Sequence, residues 1–163
     1  MRLRFLTFCA FCMPLAGCLT QTAEDYAAVV FPHLEFEKVL AYKSRIKPSY
    51  GCTYLVLRLP KTARSEPPQV YLPDTSKNHD LMQKGFWHST PEPHSLNSSA
   101  HYQCLVGDPQ KFDGAGVAGY AAQISAILQQ PAAWFTSFGG VEGRKLFVYA
   151  PEARLAVVLR FGD

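Results

Sequence analysis

Lys145-Leu146-Phe147-Val148-Tyr149-Ala150-Pro151-Glu152-Ala153-Arg154-Leu155-Ala156-Val157-Val158-Leu159-Arg160-Phe161 consists of two apolar runs hinged on a Pro-Glu pair. Valine, leucine and aromatic side chains dominate both runs, and Pro151 cannot donate to a strand ladder. The stretch therefore reads as a β-hairpin with strands over 145–150 and 154–161. In the second strand Leu155, Val157, Leu159 and Phe161 share one face, with Arg160 on the other. An isolated hairpin is barely stable in water, so these strands need further strands and a covering helix.

The rest of the chain supplies both. Upstream, Val117 to Gln130 reads as a helix: Val117, Tyr120, Ile124, Ile127 and Leu128 fall on one side, Ala121 supports them, and Pro131 stops the run. Gly139-Gly140 and Gly143 separate it from the hairpin. Thr53 to Leu59 alternates Leu55, Leu57 and Leu59 with Tyr54, Val56 and Arg58, a strand that Pro60 ends. Phe36 to Ile46 leans towards strand. Glu24 to Phe31 reads as a short helix capped by Thr22 and closed before Pro32. His101 to Val106 resumes hairpin-like order before the turn at Gly107-Asp108-Pro109. The expected class is α+β: an antiparallel sheet of about four to five strands with one long helix packed on it, ending in a β-hairpin.

At the other end of the chain, Arg2 and Arg4 precede a short apolar run from Phe5 to Met13, and Pro14 introduces Leu15-Ala16-Gly17-Cys18. The run is too short for a bilayer, which needs about 20 apolar residues. The segment resembles the signal peptides of bacterial lipoproteins, in which Leu, a small residue and Gly or Ala precede an invariant Cys. The resemblance covers residues 1–18. It implies removal of 1–17, lipidation of Cys18 and a membrane partner through that lipid, because only a thiol can carry the thioether-linked diacylglycerol. Leu19 follows the lipidated position, where enteric bacteria place Asp to retain lipoproteins in the inner membrane. The resemblance thus favours an outer-membrane lipoprotein facing the periplasm, with the inner membrane as the alternative. Residues 18–23 become a tether and 24–163 a single globular domain.

On that basis Cys9 and Cys12 leave with the signal and Cys18 is consumed by lipid, so Cys52 and Cys104 remain in an oxidising compartment. A disulfide between them is expected, with two buried thiols or a metal site as alternatives. Loss of Arg2 and Arg4 lowers the formal charge from +3 to +1. Nucleic acid is therefore not an expected partner, since phosphate binding needs clustered basic surface.

Between Pro60 and about Ala100 the composition turns polar and proline-rich, which reads as a long loop at about 60–100 with a short strand over Gln69 to Leu72. His79, His88, His94 and His101 fall in or beside it, with Asp80 and Glu92. These histidines are metal candidates by residue type, but their spacings are not those of helical zinc motifs. Gly85-Phe86-Trp87-His88 sets two large aromatics beside a flexible residue, which makes Phe86, Trp87 and His88 candidate partner-binding residues. The opposing reading has Phe86 and Trp87 packing inward to hold the loop down.

Gly114-Ala115-Gly116-Val117-Ala118-Gly119 is a literal G-x-G-x-x-G. A dinucleotide site needs a strand running straight into the first glycine and a parallel βαβ unit. Neither is expected, so no cofactor is assigned, and Asp113 reads as a helix cap instead. No nucleophile elbow or Ser-His-Asp setting is legible, and Asp74, Asp80, Glu92, Asp108 and Asp113 are no more than loop carboxylates. The sequence reading is a lipid-anchored, non-enzymatic periplasmic protein that binds another protein or a cell-wall component. It would act as an immunity-type or an envelope accessory lipoprotein. The competing reading is a metal-binding or hydrolytic protein using the histidine-rich loop.

Overall fold

The computed structural model describes residues 22–44, 52–68, 70, 87–92, 104–105, 116–140 and 143–161. Helix α1 (Ala23–Val30) is followed by β1 (Lys38–Lys43), β2 (Cys52–Arg58) and the two-residue β3 (His88–Ser89). A 3-10 turn (Gly116–Gly119) then leads into α2 (Ala121–Gln129), β4 (Trp134–Gly140), β5 (Gly143–Ala150) and β6 (Leu155–Phe161). The strands form one six-stranded sheet in the order β1-β2-β6-β5-β4-β3, antiparallel at every pairing.

The class is α+β, as the sequence suggests, but two details change. The sheet has six strands rather than four to five, and the long helix is split. Gly119 has φ +89°, a left-handed conformation that no α-helix continues through, so Gly116–Gly119 is a tight 3-10 turn and α2 starts after it. The apolar face survives the break: Val117, Ile124 and Leu128 are buried, and Tyr120, Ala121 and Ile127 pack against the same core. Cys104 and Leu105 are helical in backbone, where the sequence suggested hairpin-like extension.

The helix at the N-terminus forms for local reasons. Thr22 Oγ1 accepts from the Asp25 amide at 3.1 Å while Asp25 Oδ2 accepts from the Thr22 amide at 3.2 Å, a reciprocal capping box. Glu24 and Asp25 also place negative charge at the positive end of the helix dipole. Ala27, Val30 and Phe31 turn inward, and the Phe31 ring meets Phe147 edge-on at 5.7 Å.

Each face of the sheet is covered by a different helix. One carries Val56, Leu146, Val148, Val157 and Leu159 against Ile124 and Leu128 of α2. The other carries Leu55, Leu57, Phe147, Tyr149, Ala156 and Val158 against Ala27 and Val30 of α1. The central strands are thus buried on both faces, which is why Leu155 to Leu159 is an unbroken apolar run rather than an alternating one. The edge strand β1 is protected by a register shift between Val39 and Ala41 and by a lysine at each end. Cys52, paired with Phe161 at the start of β2, is joined to Cys104 by a disulfide with a Cα–Cα distance of 5.6 Å.

Candidate binding strap and groove

The segment that follows β2 is an ordered strap. Prolines at 60, 67 and 68 lack an amide hydrogen and restrict φ, so the strap has fewer donors to satisfy and less chain entropy to lose. Its base is held by Arg154: the Leu59 amide donates to the Arg154 carbonyl at 2.9 Å and Arg154 Nε donates to the Leu59 carbonyl at 3.0 Å. Arg154 reaches this position with φ 54°, at the end of the β5–β6 turn that its amide closes onto the Pro151 carbonyl. Its guanidinium also pairs with Glu37.

Three aromatic side chains fasten the remainder. Tyr149 OH donates to the Arg64 carbonyl at 2.7 Å, Trp134 Nε1 to the Ser65 carbonyl at 3.0 Å and Trp87 Nε1 to the Pro68 carbonyl at 2.7 Å. Trp134 and Tyr149 are direct cross-strand partners on β4 and β5, and the Trp87 ring lies 6.4 Å from Tyr149. Each ring packs its apolar body on the α1-side core and extends a polar tip to the strap backbone. Burial raises the Tyr149 phenol above its ordinary pKa, opposed by the nearby Arg64 charge, so it remains a donor through neutral pH. The bonds consume backbone carbonyls and leave Lys61, Thr62, Arg64, Ser65 and Glu66 exposed.

Beside the strap lies an open groove of about 490 Å³. The strap contributes Lys61, Ala63 and Ser65, while β3 and the approach to β4 contribute Ser89, Ala132, Ala133 and Trp134. Pro151 and Glu152 complete the lining from the β5–β6 turn. Ala132 holds φ 83° at the groove surface. Next to it, Thr90 Oγ1 and amide both bond to Ala133, and the Glu92 amide donates to the Leu128 carbonyl at 2.8 Å, so this side of the groove is tied to the end of α2.

The residues singled out from sequence are distributed unevenly around this site. Trp87 is half-buried with its indole directed at the strap, and His88 is exposed with its ring 5.6 Å from Phe135. Glu92 is buried. Phe86, His79, His94, His101, Asp74, Asp80, Asp108, Asp113, Gly114 and Cys18 lie outside the described residues, as does nearly all of the strand expected at 69–72. Among the described residues, no three His, Cys, Asp or Glu side chains gather in a metal-binding group. Gly116 and Gly119 belong to a 3-10 turn facing an antiparallel sheet, not to the parallel βαβ unit of a dinucleotide site.

Sequence reasoning missed the strap and β4. A usable signal existed in Pro60 and Pro67-Pro68 bracketing the polar run Lys61 to Glu66, and in the strand-forming Trp134-Phe135-Thr136 just before the glycines. No protein-family model, curated protein or solved structure matches the chain.

Proposed function

We propose that this chain is a lipid-anchored periplasmic protein that acts by binding another macromolecule, without chemistry of its own. The observation that carries the proposal is the strap: an exposed polar loop whose backbone is fixed by three aromatic tips and one arginine. Prefixing a loop lowers the ordering cost that association would otherwise meet, and it is a cost that a passive connection has no need to avoid. The partner-facing residues are then Lys61, Thr62, Arg64, Ser65 and Glu66, with His88 exposed on β3. Trp87 acts by holding the surface in place.

An immunity-type role and an envelope accessory role differ in the partner, a secreted toxin or a resident envelope component.

The test is affinity capture with the full-length lipidated protein from detergent-solubilised envelope, using the exposed-surface variant Lys61→Glu/Arg64→Glu as control. The expected result is a partner recovered by the parent and lost by the variant, together with membrane association that Cys18→Ala abolishes. Recovery of the same material by both proteins, or of nothing by either, would refute the binding role. A Cys18→Ala protein still held at the membrane would refute the anchor.

A further inference from the structure

We infer that the groove between the strap and the β5–β6 turn receives a peptide segment of the partner carrying one acidic and one basic side chain. The inference rests on the binding role proposed above and names the chemistry of the site. Lys61 and Glu152 are both exposed, and they line the groove from two different elements, the strap and the turn. An occupant complementary to both must present opposite charges at separate points. A polypeptide meets that requirement readily, while a neutral glycan gains nothing from it and a polyanion is repelled by Glu152.

The remaining lining fits a main chain. Ala63, Ala132 and Ala133 are small, so a backbone can approach closely, and Ser65 and Ser89 offer hydroxyls that can either donate or accept. The half-buried Trp134 adds apolar surface with its Nε1 already committed to Ser65, so binding need not leave that donor unpaired. The volume of about 490 Å³ lies within the roughly 300–1,000 Å³ of ligand sites. Lys61 stands on a strap that the sheet immobilises, and Glu152 stands in the turn that Arg154 closes. The backbone segments that carry the two charges are therefore held before the partner arrives.

The experiment probes the purified full-length protein in detergent with an array of blocked hexapeptides. The array places one Asp and one Lys in both orders at every spacing, with neutral, all-acidic and all-basic peptides and chitotetraose as the other arms. Mixed-charge peptides of one order should bind about tenfold more tightly than neutral ones at low salt, and lose that advantage at high salt. The exposed double variant Lys61→Glu/Glu152→Lys should reverse the preferred order while its thermal unfolding stays unchanged. Reversal is a result that a nonspecific charged surface cannot produce. Equal binding across the peptides, preference for chitotetraose, or a double variant with the parental order would each overturn the inference. If the array shows no preference while strap-dependent capture from the envelope persists, the groove inference alone fails and the binding role stands.

Discussion

Tyr149→Phe isolates a single atom of the device that fixes the strap. The substitution keeps the ring buried against Trp87 and the α1-side core and removes only the hydroxyl that donates to the Arg64 carbonyl at 2.7 Å. An intramolecular hydrogen bond of this type contributes about 1 kcal/mol net. For a domain of this size that corresponds to a fall of roughly 3 °C in melting temperature. The pH dependence provides a second readout. The folded phenol ionises above its ordinary value of 10.0, because burial disfavours the phenolate more than Arg64 favours it. The unfolded chain therefore loses that proton first as the solution becomes alkaline. The hydroxyl's stabilisation is fully present below pH 10 and is lost as pH rises through the folded pKa. Urea unfolding of parent and variant, followed from pH 8 to pH 11, should show a gap of about 1 kcal/mol at pH 8 that narrows towards the alkaline end. Comparing two proteins cancels the titration of the other seven tyrosines among the eight in the chain. A gap indistinguishable from zero at pH 8 would refute the claim that the hydroxyl fastens the strap. A gap that persists unchanged to pH 11 would refute the assignment of the titrating donor.

Replacing Cys52 and Cys104 together by Ala opens a cross-link with a sequence separation of 52. The chain-entropy account gives a loss of about 4 kcal/mol, to be read from chemical unfolding, and a change below about 1 kcal/mol would contradict it. Thr22→Ala removes half of the capping box and should cost about 1 kcal/mol, with hydrogen exchange accelerating in α1 before the sheet. Uniform acceleration throughout the domain would argue against a local cap. Ala132→Gly relieves a left-handed φ of 83° at an exposed position and should raise stability by roughly 0.5 kcal/mol after the entropy of glycine is subtracted. Lowered stability in urea would show that the methyl group makes contacts that outweigh the backbone strain.

What the sequence determined was whatever depends on near neighbours. The Thr22–Asp25 capping box spans four residues, the stop at Pro131 follows the C-cap Gln130 of α2, and the 145–161 hairpin closes through four turn residues. Even where the long helix proved to be split at Gly119, its apolar face was right, because side-chain periodicity is a local property. The pairing of Cys52 with Cys104, expected from the lipoprotein resemblance that sets the other three cysteines aside, is present as a disulfide. What the sequence left open depended on distance along the chain. An apolar run such as Leu155 to Leu159 does not reveal that helices cover both sides of it, since continuous burial looks alike whichever elements supply it. β4, to which the sequence reading assigned no element, joins the sheet by pairing with β5. The strap lay furthest from reach. Its three aromatic fastenings cross sequence separations of 19, 69 and 85 residues, so the prolines that bracket Lys61–Glu66 mark a stiff segment but do not announce what holds it. Only folding brings Trp87, Trp134 and Tyr149 onto one sheet face, and with that step a polar proline-flanked loop becomes a rigid surface.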